Sequence, residues 1–418
     1  MSTFEILQAA QKAKTILASL TSEKKKQALL AMAEEIDAKR AEIVAANQMD
    51  IENAKGVLSD AMIDRLTLTP ARLDGMTESI RIIADQPDPV GRILSTDVRP
   101  NGLQIQKVAV PFGVIAMIYE SRPNVTSDAA ALSFASGNVC VLRGGKEAYH
   151  SSNAIANAMR EALKKQGICE DCIALIQDLS RQSAADLMSA VGYVDLLIPR
   201  GGKALIDRCV SEAKVPCIQT GTGICHVYVD KDADLDMALS IVENAKASRP
   251  SVCNAAEVCL VHKDIANEFL PRLQTALNDH RAKANKPTVE LRLDAVACGI
   301  IDGKPASADD FDTEFLDYIL AVKVVDDVQE AITHIAAHST GHSESIITKN
   351  EQTAKAFTSA VDSSAVYVNA STRFTDGGEF GFGGEIGIST QRLHGRGPIG
   401  LNELNTYKYI ITGNGQIR

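Results

Sequence analysis

The chain contains no tryptophan, and aromatic residues make up only 4% of its 418 positions. It therefore cannot build the aromatic platform on which the bases of a single nucleic-acid strand stack. Positive charge is not in excess either. The formal net charge is -10 at pH 7, which disfavours nucleic acid and anionic membrane surfaces as partners while allowing local cationic pockets for phosphate. No apolar run approaches the ~20 residues that span a bilayer, and the first residues lack the apolar stretch of a secretory signal. The nine cysteines are odd in number and follow no framework spacing, so reduced thiols in the cytoplasm are expected rather than a disulfide scaffold. Cys169 and Cys172 have the spacing of half a zinc site. No second pair or nearby histidine completes it, so no metal is expected there.

What is present is the composition of a soluble globular protein, 45% hydrophobic and 23% charged, with a length that predicts two or three domains. The first ninety or so residues read as helices: Leu29, Met32, Ala33, Ile36 and Ile43 recur at helical spacing, with Lys and Glu opposite. Thr69-Pro70 reads as an N-cap followed by the first helical residue. From Pro111 the pattern changes. Val114–Tyr119, Val139–Leu142, Ile173–Ile176 and Val194–Ile198 are continuous apolar runs separated by helical stretches. A second series follows Thr220, with strands expected at His226–Val229, Val258–Val261, Leu320–Val325, Ile346–Ile347 and Val366–Val368. Apolar runs alternating with helices predict parallel strands covered on both faces, an α/β doubly wound arrangement. Tyr407–Ile411 reads as an edge strand that invites pairing with another subunit, hence a homo-oligomer.

Two turns could cradle phosphate. Arg143-Gly144-Gly145-Lys146 follows one expected strand, and Pro199-Arg200-Gly201-Gly202-Lys203 links another to a helix. Each places glycine, whose backbone N–H can approach an anion, beside a cation. Neither has the spacing of the common dinucleotide or nucleotide fingerprints, and the plain-turn reading stands beside the phosphate reading. A third turn carries a nucleophile candidate. Cys253 lies between an expected helix and strand in Ser248-Arg249-Pro250-Ser251-Val252-Cys253-Asn254, where an exposed thiol near a cation can ionise. A lone cysteine is more often an inert buried residue; its setting in this chain argues for chemistry.

Pro111-Phe112-Gly113-Val114 leading into Tyr119-Glu120-Ser121-Arg122-Pro123-Asn124 resembles the segment before the catalytic asparagine of the aldehyde dehydrogenase superfamily. The Cys253 turn resembles that superfamily's nucleophile loop. Asp312-Thr313-Glu314-Phe315 is similar to the segment whose glutamate holds the nicotinamide ribose. Within the superfamily, SRPSVCNAAE, GICHVYVD and FGFGGEIGISTQRLHGRGPIGL resemble the gamma-glutamyl phosphate reductase family, and the likeness runs the length of the chain.

The resemblance implies an aldehyde-dehydrogenase-like fold: a Rossmann-like cofactor domain, a second α/β catalytic domain and a small β oligomerisation flap. The cofactor domain is expected over 1–225, with a strand in 98–109 contributing to the flap. The catalytic domain is expected over 226–370, and 371–418 returns to the cofactor domain and supplies the oligomerisation tail. The implied reaction is NADPH-dependent reduction of L-glutamyl 5-phosphate to L-glutamate 5-semialdehyde and phosphate, in proline biosynthesis, through a thioester on Cys253. Asn124 and the Cys253 N–H would hold the oxyanion, and Glu314 the nicotinamide ribose. Gly144, Gly145, Gly201 and Gly202 would face the cofactor, with either Arg143 or Lys146 on its 2′-phosphate. Arg122 and Arg249 would recognise anionic groups of the substrate. Glutamate 5-kinase, which makes the acyl phosphate, is a candidate partner.

This chain departs from the wider superfamily where hydrolytic members keep a water-activating glutamate: it has Gln219. An amide is no general base near neutral pH, which favours reduction of an activated acyl group over oxidation to an acid. A CoA-acylating aldehyde dehydrogenase would also need no such base. A non-catalytic scaffold for the kinase is the reading from another class, opposed by Cys253, Asn124 and both glycine turns.

Overall fold

The computed structural model describes residues 2–418, which divide into two compact units. The first comprises residues up to Thr220 with Phe380–Gly387 and Leu393–Arg418. It begins with helices Thr3–Ala18, Ser22–Ala38, Arg40–Ala54, Asp60–Leu66 and Pro70–Asp85. Two of their starts show the local capping: Ser2 and Glu5 form a reciprocal capping box, and the Thr69 hydroxyl accepts from Arg72 N with Pro70 in the first turn. Each such cap satisfies a backbone N–H that has no partner within the helix, worth about 1 kcal/mol. The expected stripe of Leu29, Met32, Ala33, Ile36 and Ile43 is buried.

The strands of this unit are β1 (Ile93–Val98), β2 (Gln104–Pro111), β3 (Val114–Tyr119), β4 (Val139–Arg143), β5 (Ile173–Leu175) and β6 (Leu196–Arg200). Four of them form a parallel sheet in the order β5-β4-β3-β6. All six residues of β3 are buried, as a continuous apolar run predicts for a central parallel strand. Gly113 enters β3 with φ 133°, and a Cβ there would lie 2.1 Å from the Asp195 carboxylate, so only glycine fits. Asn138 joins the chain's end to the sheet: its side chain accepts from Gly113 N and donates to Leu404 O, both at 2.8 Å.

A separate antiparallel sheet sets β1, β2 and the C-terminal strand Asn405–Thr412 side by side, with β2 in the middle. The range 98–109 spans the end of β1, a turn and most of β2. β1 is exposed throughout and has no apolar periodicity by which a strand could be read. The C-terminal strand was legible, and it lies at an edge with Tyr407, Tyr409, Ile410 and Ile411 exposed.

The second unit comprises Gly221–Glu379 and Ile388–Arg392. Its strands are β7 (Cys225–Val229), β8 (Ala256–His262), β9 (Glu290–Leu293), β10 (Lys304–Pro305), β11 (Ile319–Val325), β12 (Ser343–Ile347) and β13 (Ala365–Val368). They form one parallel sheet ordered β10-β9-β11-β8-β7-β12-β13. Side chains alternate across it. Val227 and Val229 join a core closed by helices Leu235–Ala247 and Lys263–Gln274, whereas Tyr228 joins a core closed by helices Val328–His338 and Glu351–Ala360. Fully burying each large aliphatic or aromatic side chain contributes about 1.5–3 kcal/mol. Strands β9 and β10 were not anticipated. β10 is a two-residue edge strand, and β9 beside it has one side chain in two polar and an apolar run too short to register. Cys169 and Cys172 flank a single 3-10 turn leading into β5, the ordinary connection expected of them.

Candidate active site

Three loops of the first unit leave the carboxyl ends of the adjacent strands β4, β3 and β6, the position at which open α/β sheets bind ligands. The loop after β3 carries Arg122 and Asn124 and touches both neighbours. Glu120 accepts from Gly202 N at 3.0 Å. Ser121, held at φ 46°, donates its N–H and hydroxyl to Glu147 Oε1 at 2.6 and 2.8 Å. The Gly201-Gly202 turn thus already holds a carboxylate at the start of helix Lys203–Glu212, and a Cβ on Gly201 would lie 2.5 Å from that carboxylate.

The turn after β4 separates its two cations. Arg143 is half-buried and donates to Leu179 O and Ser180 O, both at 3.0 Å, and to the Ser183 hydroxyl. Burial lowers its pKa, with Glu147 and Asp178 opposing. Lys146 is exposed. Asn124 opens helix Asn124–Ala135 and donates its amide to Asp128 at 3.1 Å. Burial pushes Asp128 up to about 6, against the pull of Asn124 and Arg200.

The nucleophile turn belongs to the second unit, between helix Leu235–Ala247 and β8. Cys253 is half-buried and in no disulfide. Its carbonyl accepts from Cys225 Sγ at 3.2 Å, and a Cβ on Gly223 would lie 1.5 Å from that same oxygen. Gly223 is therefore the base on which the turn rests. Its N–H donates to Glu314 Oε1 at 2.8 Å, so the fold places Glu314 beside the nucleophile turn although 61 positions separate it from Cys253. Arg249 is exposed at the start of the turn. Beneath lies a fully buried ion pair, Lys246 Nζ to Glu257 Oε2 at 2.5 Å. Burial raises Glu257 to about 7 and lowers Lys246, while their contact opposes both shifts.

Sequence reasoning passed over Arg373. It reaches the turn from the loop after β13, where its guanidinium donates to the Asn254 side-chain oxygen and to Ser248 Oγ at 3.2 Å. Asn254 returns its amide to Arg373 O and Thr375 O, and Thr372 Oγ1 donates to Asn254 O at 2.7 Å. The signal was weak because an arginine in a Ser-Thr-Arg turn, about 120 residues downstream, has no spacing that ties it to a cysteine. Among the described residues, no group of three or more His, Cys, Asp or Glu is arranged to hold a metal ion, and no helix is long and apolar enough to cross a membrane.

The sequence profile of the Aldehyde dehydrogenase family matches residues 3–291 and 295–409. The chain is 59% identical over 399 residues to gamma-glutamyl phosphate reductase of Streptococcus suis, covering 95% of each. Its structure is similar to the crystal structure of gamma-glutamyl phosphate reductase from Thermotoga maritima, with a TM-score of 0.96, 45% identity and 100% of both chains covered. An acetylating aldehyde dehydrogenase from Geobacillus thermoglucosidasius shares the fold, with a TM-score of 0.73 at 19% identity over 100% of this chain and 97% of that one.

Proposed function

The chain belongs to the aldehyde dehydrogenase family and, within it, to the gamma-glutamyl phosphate reductases; on that premise we propose how its residues perform the reaction. The enzyme reduces L-glutamyl 5-phosphate to L-glutamate 5-semialdehyde and phosphate with a nicotinamide cofactor, in proline biosynthesis. In our reading the Cys253 thiolate adds to the γ-carbonyl, the bond to the phosphate oxygen breaks, and a thioester remains. The Cys253 N–H and the Asn124 amide stabilise the oxyanion. NADPH, when bound, would supply the hydride; the carbon–sulfur bond then breaks, releasing the semialdehyde and returning the sulfur as the Cys253 thiolate.

Gly144, Gly145, Gly201 and Gly202 face the cofactor phosphates in this reading, and Glu314 takes the nicotinamide ribose. Of the two cations after β4, Lys146 is the better candidate for the 2′-phosphate, because the Arg143 guanidinium is committed to backbone carbonyls. Arg122 and Arg249 recognise the anionic ends of the substrate. The observation that carries the reading is the Cys253 turn itself: a half-buried thiol on a polar loop, braced from below by Gly223 and flanked by cations. Gln219, with no carboxylate to activate water, keeps the thioester for reduction.

The deciding assay runs the reaction backwards, oxidising glutamate 5-semialdehyde with NADP in the presence of phosphate or of CoA. Phosphate-dependent turnover with an acyl adduct on Cys253 is the expected result. Turnover with CoA alone would instead make the enzyme a CoA-acylating dehydrogenase. The exposed apolar residues on the outer edge of the three-stranded sheet support assembly with further copies of the chain. Transfer of the labile acyl phosphate from glutamate 5-kinase, in the reducing cytoplasm, completes the proposal.

A further inference from the structure

We propose that Arg373 is a positioning residue for this reaction: it grips the nucleophile turn through Asn254 and Ser248 and, together with Arg249, holds positive charge beside Cys253 that favours the ionised thiol. The inference rests on Cys253 being the nucleophile and adds to it the group that prepares the sulfur. Three observations carry it. Asn254 follows Cys253 directly, and the exchange of hydrogen bonds between Asn254 and Arg373 ties side chain to side chain and side chain to backbone in both directions. The Arg373 Nε also holds Ser248, the residue before Arg249, so one guanidinium spans both ends of the turn. Arg373 and Cys253 are close enough that their charges act on each other.

The surrounding charges make the role specific. Burial lowers the Arg373 pKa, and Arg249 lowers it further, which is the signature of two guanidiniums crowded together. An arginine nonetheless stays cationic at any physiological pH. Asp376 is the acid that faces Arg373. Glu314 is engaged by the Gly223 N–H, and Glu257 by Lys246. The neighbouring thiol takes the opposite course: burial and nearby Glu344 push Cys225 well above its ordinary value, so it remains a neutral donor to the Cys253 carbonyl. Arg373 acts on both thiols, but Cys225 is held neutral by burial, whereas Cys253 is half-buried in a polar turn, where positive charge favours ionisation.

The test is alkylation of the full-length enzyme by iodoacetamide across a pH series, with each cysteine followed separately by peptide mass spectrometry. Cys298, which is exposed, serves as the internal reference. In Arg373→Gln the midpoint for Cys253 rises by about one pH unit and labelling at pH 7 slows about tenfold. Cys298 does not change. Arg373→Lys, which keeps the charge and loses the planar fork, restores most of the midpoint. An unmoved midpoint in Arg373→Gln, or an equal rise in the glutamine and lysine variants, would overturn the proposal. If the Arg373 variants do not fold, the exposed Arg249→Gln decides: a smaller rise in the same direction supports the shared charge, and no rise refutes it. Rapid substrate-protected labelling of some other cysteine would refute Cys253 as nucleophile instead, so the two failures are distinguishable.

Discussion

The two units treat their charged loops in opposite ways. In the first, the chain's own carboxylates sit on donors of the glycine-bearing loops, Glu120 on Gly202 and Glu147 on Ser121. The arginine beside the first glycine turn meanwhile staples backbone carbonyls. In the second, the loop after β13 brings a guanidinium to the nucleophile turn and binds it to the residue after the cysteine. Arg143 and Arg373 are both half-buried arginines whose pKa burial lowers. One holds backbone carbonyls of its own unit, and the other holds both ends of the turn that carries Cys253. The contrast shows that a cation next to glycine marks a place in the fold, whereas its availability depends on which carbonyls lie within reach.

The contrast breaks most decisively at the sulfur. Cys253→Ala should lower phosphate-dependent oxidation of the semialdehyde by about 10⁴-fold or more, while fluorescence titration finds NADPH binding nearly unchanged. Retained turnover would remove the nucleophile from the second unit altogether. Gly223→Ala tests the platform under the turn. With a Cβ 1.5 Å from the Cys253 carbonyl, the turn must shift, and a displacement of about 1 Å costs on the order of 100-fold in kcat. Steady-state kinetics checks it, with kcat as the parameter that should fall.

The two cations after β4 sharpen the comparison within the first unit. Lys146→Ala should raise KM for NADPH roughly tenfold and leave KM for NADH alone, since one charged contact is worth about 1.5–3 kcal/mol. Arg143→Ala should instead lower Tm, through carbonyls that lose their donors. Swapped outcomes would reverse the assignment of the 2′-phosphate. The smallest effect is expected at Asp128. Its pKa is raised from 3.8 to about 6, so the folded state binds the proton more tightly than the unfolded one. Its contribution to stability therefore declines as pH rises through that window. Asp128→Asn removes the decline, giving a Tm higher by about 2–4 °C at pH 7.5 and no gain below pH 4. A modest fall in kcat should accompany it, because Asn124 loses its carboxylate partner. Thermal melts across pH settle the sign.

Much of the fold could be read from local pattern. Val114–Tyr119 was legible as a central strand because every residue is apolar and a strand buried on both faces needs nothing else. Thr69-Pro70 marked a helix start because capping is a contact between neighbours in sequence. β9, with its alternating Glu-Leu-Arg-Leu, and the fully exposed edge strand β1 were missed, since neither carries a continuous apolar run. At the candidate site, Cys253 was read from its polar turn and Glu314 from resemblance, and the fold brings Glu314 to the Cys253 turn through Gly223. Arg373 was illegible because its partners, Ser248 and Asn254, are more than a hundred residues away along the chain.

The order of residues alone was enough for the central strands, for the N-terminal helices and for a cysteine in a polar turn between a helix and a strand. Those facts depend on hydrophobic period and on contacts between near neighbours, which the order of residues contains directly. Which arginine is engaged with backbone carbonyls and which grips the Cys253 turn is visible only in the folded chain. That outcome depends on where distant loops meet once the sheets have formed, and hydrogen-bond donors are assigned by distance in space rather than along the chain.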